Sequence, residues 1–108
     1  SARQAQLGKT VGDDFSEGKI TLPVILAFRR GSEEDRKFWN RTLGELEQVD
    51  GDLEQAQQLI LKYGALDDTI SRAQHYAAIA RDALGLFSDG EPKRVLTEVV
   101  DFCVEREF

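Results

Sequence analysis

Apolar side chains recur every three or four residues in the second half of the chain, and this spacing constrains the fold more than any other feature. The series runs along one face through Leu66, Ile70, Ala73, Ala77, Ala80, Leu84 and Phe87. Such a period places apolar groups on one side of an α-helix and leaves its other sides polar. The sequence shows no strand-like alternation and no internal repeat. It therefore predicts an all-α fold.

Capping residues and glycines divide the chain into about five helices joined by short loops, which is typical of an antiparallel bundle. The predicted helices cover approximately 21–30, 32–48, 52–63, 66–87 and 92–103. Thr21, Ser32 and either Asp50 or Asp52 are the predicted N-caps of the first three. The first and fifth helices are predicted to carry Pro23 and Pro92 in their first turns. Residues 1–20 are polar and contain several glycines, and we interpret them as a loop or a frayed helix.

The run from Leu22 to Phe28 is apolar on all sides, which predicts a helix that is buried on all sides. Four short amphipathic neighbours do not supply enough apolar surface to cover such a helix. We therefore expect this chain to expose apolar surface and to associate with itself.

Composition excludes several classes of protein. A net charge of −6 and a pI of about 4.7 argue against a nucleic-acid partner, which requires a basic face. No apolar run approaches the roughly 18 residues of a transmembrane helix, and the N-terminus lacks a signal-peptide pattern. The single Cys103 forbids an internal disulfide and is typical of the reducing cytoplasm. The chain contains no methionine and begins with SARQAQ, as we would expect of a fragment or a processed product.

The segment from Leu7 to Pro23, LGKTVGDDFSEGKITLP, gathers acids, lysines and glycines directly ahead of an apolar helix. Its charged side chains are Lys9, Asp13, Asp14, Glu17 and Lys19. Carboxylates can hold magnesium, ammonium groups can neutralise a phosphate, and a helix N-terminus adds further donors. The segment therefore indicates a site for a phosphate and its metal ion. From the residues alone, the alternative is a solvated surface loop.

Three stretches of sequence carry a resemblance to a known family. The first stretch contains GK, GDDFSEGK and TLPVILA in that order. The second reads YGALDDTISRAQHYAAIARDAL, and the third reads VLTEVVDFCVER. Together they resemble the trans-isoprenyl diphosphate synthases over essentially the whole chain. The part from Ser32 to Gly51, which contains FWNRTL, is most similar to the bacterial octaprenyl and decaprenyl branch. Geranylgeranyl synthases share most of the pattern.

The resemblance implies roles for four residues. Lys9 and Lys19 match two lysines that reach the allylic diphosphate. Asp14 matches an aspartate that meets magnesium through a water molecule, and Asp13 would support it. No catalytic residue is implied within this chain. The stretch DDFSE looks like an aspartate-rich motif, but its place inside GDDFxEGK assigns it to this downstream segment.

The resemblance also implies what the chain belongs to. Residues 1–108 would be the C-terminal segment of an isoprenoid-synthase bundle, with 1–20 as the diphosphate-side loop and 21–108 as helices. The family condenses isopentenyl diphosphate with an allylic diphosphate, uses Mg²⁺ and forms homodimers. Because neither DDxxD motif is present, we expect the fragment alone to be inactive and to retain no magnesium.

The other polar residues have structural explanations. Asp67 and Asp68 suit the first turn of a helix, and His75 has no second histidine or cysteine at ligand spacing. Cys103 lies on the apolar face of the last helix, and we interpret it as a core residue. The alternative to an enzyme segment is a small helical interaction module without catalysis, whose partner would bind the apolar faces.

Overall fold

The structure, a computed structural model, describes residues 2–107, with the side chains of 2–104. Within that range it contains six α-helices and no strand, which confirms the all-α prediction. They are α1 (Ala2–Ser16), α2 (Leu22–Arg30), α3 (Glu33–Trp39), α4 (Asp52–Lys62), α5 (Ala65–Leu84) and α6 (Glu91–Glu107). The chain forms two compact units, and the division between them falls after Thr69, within α5.

Residues 1–20 were predicted to form a loop or a frayed helix, and the structure shows that the loop alternative is wrong, since α1 covers Ala2–Ser16. The buried side chains of α1 recur every four residues, at Leu7, Val11 and Phe15. This face packs against α4, and a Cβ atom at Gly12 would lie only 3.2 Å from Gln57 of that helix. The absence of a side chain at Gly12 therefore permits close packing of α1 against α4.

Helix α2 follows Thr21 and carries Pro23 in its first turn, as predicted, although the Thr21 hydroxyl makes no capping hydrogen bond. The prediction that this helix is buried on all sides was wrong. Val24 and Ala27 are buried, whereas Leu22 and Ile25 are 40% and 44% exposed. The helix packs against α3 and α4, and its remaining side is uncovered. The expectation that the chain exposes apolar surface is thus confirmed.

Helix α3 begins as the sequence predicted and ends earlier. Ser32 and Asp35 form a reciprocal capping box, in which each side chain accepts a hydrogen bond from the main-chain N–H of the other, at 3.2 and 3.1 Å. After Trp39 the chain continues as a π-helical turn, Asn40–Gly44. The helix predicted over 32–48 is therefore interrupted, and Leu46 lies in a loop with 65% of its surface exposed.

Three aromatic rings form the centre of the first unit. Phe15 of α1 stacks on Phe38 at a centroid distance of 6.2 Å and meets the edge of Trp39 at 6.0 Å. Phe38 and Trp39 meet edge to face at 5.1 Å. Offset and edge-to-face pairs of this kind add to the free energy of burial. They attach the end of α1 to α3.

Helix α4 begins after Gly51, whose φ of 90° makes the left-handed turn into the helix. The prediction that Asp50 or Asp52 is the N-cap was wrong, because Asp52 lies within the first turn and its buried carboxylate binds Arg41. The helix ends before Gly64, with a φ of 63°, as the sequence predicted.

The second unit contains most of α5 together with α6. An ion pair between Arg81 and Asp101, with nitrogen–oxygen distances of 2.6 and 2.9 Å, joins the two helices. Pro92 lies in the first turn of α6, as expected. Cys103 is exposed, so its interpretation as a core residue was wrong; the apolar face of α6 that carries it is only partly covered. Over the described residues, no helix is both long and apolar enough to cross a membrane.

Candidate functional site

The site predicted from the charged segment lies where α1 ends and the chain turns back. Main-chain hydrogen bonds run from the N–H of Gly18 to the oxygen of Phe15 and from the N–H of Lys19 to the oxygen of Asp14, both at 2.9 Å. These two bonds define a Schellman motif, with Gly18 at a φ of 78° in the left-handed position. We call residues 17–19 the Lys19 turn. The turn folds the chain back, so that Lys19 lies beside the last turn of α1.

Three of the predicted charged residues meet at this turn. The Nζ atom of Lys19 lies 3.0 Å from a carboxylate oxygen of Glu17 and 3.9 Å from one of Asp14. The hydrogen bond that Lys19 donates to Glu17, and then the negative charges of Glu17 and Asp14, raise the pKa of Lys19 above its ordinary value. The Lys19 side chain is 63% exposed and that of Asp14 is 26% exposed. The turn therefore presents a permanent cation to solvent beside a partly shielded carboxylate.

The structure places the other two predicted residues on α1 itself. Lys9 and Asp13 are both exposed and are four positions apart, so they lie on the same side of the helix, one turn from each other. Asp13 and Asp14 are consecutive in the last turns of α1. Among the described residues, Lys9 takes no part in the ion pairs around Lys19.

A second segment, which the sequence did not indicate as part of the site, contacts the turn. We call residues 45–49 the covering loop. The side-chain Nε2 of Gln48 donates a 2.8 Å hydrogen bond to the main-chain oxygen of Phe15. A Cβ atom added to Gly18 would lie 2.9 Å from Cδ2 of Leu46, so this leucine rests against the turn. Gln48 was missed as part of the site, because no sequence pattern identifies a glutamine that donates a hydrogen bond to a carbonyl oxygen 33 positions away.

An ion pair anchors the covering loop at Glu47 and Val49. Arg41 donates to both carboxylate oxygens of Asp52, at 2.9 and 3.0 Å, and to the main-chain oxygen of Glu47, at 2.8 Å. Asp52 also accepts from the N–H of Val49 at 2.8 Å. The Arg41 hydrogen bonds, followed by the one from Val49, hold the pKa of Asp52 below its ordinary value. The carboxylate is therefore a charged anchor of this loop.

An apolar groove of about 330 Å³ runs between α1 and α4. The glycines of α1 form part of its floor, and Gln4 and Asp67 line one end. Neither lysine of the predicted site lines the groove. The groove and the charged cluster are thus distinct features of the first unit.

The described residues contain no group of three acidic, histidine or cysteine side chains placed to hold a metal ion. The donor set at the turn is therefore incomplete for magnesium, which takes about six oxygen ligands and commonly retains several waters. The partly shielded carboxylate of Asp14 fits a single contact to such an ion. Lys19, which already lies 3.9 Å from Asp14, fits the accompanying phosphate.

Comparison with known proteins identifies the family. The profile of the family described as polyprenyl synthetase matches residues 1–60, which include α1, the Lys19 turn and the covering loop. The chain belongs to the polyprenyl synthetase family. This result confirms the resemblance to the isoprenyl diphosphate synthases.

Individual relatives extend the match to nearly the whole chain. A short chain isoprenyl diphosphate synthase of Methanothermobacter thermautotrophicus is 33% identical over 96% of this chain and 31% of its own length. The crystal structure of a decaprenyl diphosphate synthase from Rhodobacter capsulatus matches with a TM-score of 0.79 and 39% identity, over 94% of this chain and 33% of that one.

A polyprenyl synthase from Caulobacter crescentus CB15, complexed with calcium and isoprenyl diphosphate, matches with a TM-score of 0.70 and 42% identity, over 90% of this chain and 30% of that one. The chain thus spans about a third of the length of each relative. As a member of the polyprenyl synthetase family, it carries one part of that fold.

Proposed function

We propose that this chain is the C-terminal segment of a trans-polyprenyl diphosphate synthase that condenses isopentenyl diphosphate with an allylic diphosphate. The observation that carries the proposal is the position of Lys19 beside Asp14, within the residues that match the polyprenyl synthetase family. The end of α1 and the Lys19 turn form the diphosphate side, and the helices of 21–108 complete part of the bundle. Membership of the family favours this function over an interaction module without catalysis.

Each site residue has a proposed role that its chemistry can perform. Lys9 and Lys19 bind the allylic diphosphate and neutralise the charge of this leaving group. Asp14 contacts Mg²⁺ through a water molecule, and Asp13 supports it. The Mg²⁺ ions would supply most of the charge neutralisation when bound. The relative from Caulobacter crescentus supports a site that holds a divalent cation together with a diphosphate, since its structure contains calcium and isoprenyl diphosphate.

The isolated chain has no turnover in this proposal. It lacks both DDxxD motifs and spans about a third of its relatives, so most of the metal ligands belong to other parts of the intact enzyme. The exposed apolar side chains of α2 and α6 support self-association of the chain and a homodimer of the intact enzyme. The single cysteine supports a cytoplasmic location.

A graft tests the proposal. This chain would replace the matching third of the Rhodobacter capsulatus decaprenyl diphosphate synthase, and elongation of an allylic diphosphate would be measured with radiolabelled isopentenyl diphosphate. We expect the graft to be active, and Lys19→Ala to lower kcat/KM by about 10- to 100-fold, because a charge-assisted bond to the diphosphate is lost. Lys37→Ala, which changes an exposed lysine of α3, is the matched control.

Two results would contradict the proposal: a folded graft without activity, or equal effects of the Lys19 and Lys37 variants. The isolated chain is tested separately, in a single-turnover assay with radiolabelled isopentenyl diphosphate. We expect no product from it. Clear product would show that these 108 residues catalyse the reaction by themselves.

A further inference from the structure

The side chain of Gln48 joins the covering loop to the end of α1. Its Nε2 donates to the main-chain oxygen of Phe15 at 2.8 Å and to that of Thr42 at 3.3 Å. We propose that Gln48 is a positioning residue, which holds the Lys19 turn in the geometry that binds a diphosphate. This inference rests on the proposed function, because it concerns how Lys19 is presented to that group.

The oxygen that Gln48 contacts belongs to the hydrogen-bond pattern that shapes the turn. The last carbonyls of a helix lack partners within the helix and must find them elsewhere. The oxygen of Phe15 accepts from the N–H of Gly18, and the bond from Gln48 occupies its second lone pair. Gln48 thus binds the same oxygen that closes the turn ahead of Lys19.

The covering loop is itself held firmly enough to act as a support. Arg41 and Asp52 clamp it through two hydrogen bonds, and each also bonds the loop's main chain. Leu46 adopts a φ of 58°, a conformation that is uncommon for a leucine and that persists only where neighbouring contacts impose it. That conformation brings its side chain against Gly18.

The Lys19 side chain cannot position itself. It is 63% exposed, and its partners Glu17 and Asp14 lie on the turn and on the last turn of α1, so they move with it. The end of a helix frays readily unless other contacts hold it. Gln48 and Leu46 provide contacts from outside this segment, so loss of the Gln48 bond should loosen the turn and lower the fraction of molecules ready to bind.

The test uses this chain and the variant Gln48→Met, which keeps the length of the side chain and removes both donors. Gln58→Met, at an exposed position of α4, is the matched control. Amide hydrogen exchange is followed by NMR at Gly18 and Lys19, and at Leu59 and Ile60 in the core of α4. The dissociation constant for pyrophosphate in the presence of Mg²⁺ is measured on the same samples.

We expect Gln48→Met to exchange about tenfold faster at Gly18 and Lys19 and to leave Leu59 and Ile60 unchanged, because only the turn opens. If the turn is then ordered in about a fifth of the molecules, the dissociation constant rises about fivefold. Gln58→Met should match the wild type in both measurements. A role confined to stability would instead accelerate exchange in the turn and in α4 equally, and that result would overturn the proposal.

Unchanged exchange at the turn, or an unchanged dissociation constant in a chain that does bind pyrophosphate, would also overturn it. If the wild-type chain does not bind pyrophosphate, the proposed function is what the result contradicts. Exchange at Gly18 and Lys19 then decides by itself whether Gln48 holds the turn: faster exchange in Gln48→Met supports this, and wild-type exchange refutes it.

Discussion

Lys19 and Glu17 form an ion pair across Gly18, with 3.0 Å between the ammonium nitrogen and a carboxylate oxygen. The pair raises the pKa of Lys19. It also engages the ammonium group that the proposed function assigns to a diphosphate. Because both side chains are more than 60% exposed, water screens the pair and it can be broken at little cost. A diphosphate can therefore displace Glu17 from Lys19.

This relationship predicts that Glu17→Gln strengthens pyrophosphate binding by about two- to threefold, since a competing charge is removed from Lys19. Glu54→Gln removes the same charge from an exposed position of α4 and should change the affinity much less. Calorimetric titration of both variants at about 0.15 M salt provides the comparison. Weaker binding by Glu17→Gln would mean that Glu17 helps to hold the ligand or its metal.

The backbone of the turn makes a second prediction, about stability. Gly18→Ala should lower the free energy of unfolding by about 1–2 kcal/mol, because its φ of 78° disfavours a side chain and Leu46 lies 2.9 Å from the new Cβ. Gly8→Ala is the matched control, since Gly8 is helical and a Cβ there meets nothing within 4 Å. It should stabilise the chain by about 0.5–1 kcal/mol. Urea unfolding followed by circular dichroism measures both, and equal effects would refute the turn geometry.

The aromatic cluster makes a third prediction. Phe15→Ala should cost about 3–5 kcal/mol, because the ring is 1% exposed and packs on Phe38 and Trp39. Phe87→Ala removes the same ring from a position that is 63% exposed and should change stability by less than about 0.5 kcal/mol. Fluorescence of Trp39, the single tryptophan, reports the unfolding of the first unit, and circular dichroism reports the unfolding of both units. A small effect of Phe15→Ala would mean that α1 does not pack as described.

Two carboxylates lead to a fourth prediction, about the loss of folding stability at low pH. The hydroxyl of Tyr63 and then the N–H of Ser32 lower the pKa of Asp35, and Arg41 and then Val49 lower that of Asp52. The pKa of an aspartate in an unfolded chain is about 3.9. The unfolded chain therefore binds more protons than the folded chain below that pH, so both groups stabilise the fold fully above about pH 4 and lose this contribution as the pH falls through their folded pKa values.

The urea midpoint should thus be flat from pH 7 to 5 and fall between pH 4 and 3, within the usual range of carboxylate titration. In Asp52→Asn the chain should be less stable at neutral pH and its acid-induced loss should be smaller. Asp50→Asn, at an exposed neighbouring position, should follow the wild type. A wild-type midpoint that rises on acidification would contradict the assignment.

The sequence predicted those features that local chemistry determines. The cap at Ser32, the proline in the first turn of α2 and the glycine after α4 each act within a few residues, and the structure has all three. The lysines and aspartates of the charged segment were recognised in the same way, from a continuous stretch, and their roles remain predictions.

Features that depend on distant contacts were missed. The polar, glycine-bearing composition of residues 1–20 hid the four-residue spacing of Leu7, Val11 and Phe15, which becomes decisive only when α4 packs on that face. Asp52 was one of the two predicted caps of α4. Its ion pair with Arg41 spans a loop and leaves no local pattern in the sequence. The hydrogen bond from Gln48 to Phe15 joins segments that a sequence pattern cannot pair.

One measurement tests the central claim most directly: an NMR titration of the isotopically labelled chain with pyrophosphate in the presence of Mg²⁺, with Mg²⁺ alone as the reference. We predict saturable shifts at Lys9, Asp14 and Lys19, loss of saturation in Lys19→Ala, and little response to Mg²⁺ alone. Shifts that are absent at these residues, or that cluster elsewhere on the chain, would contradict the account.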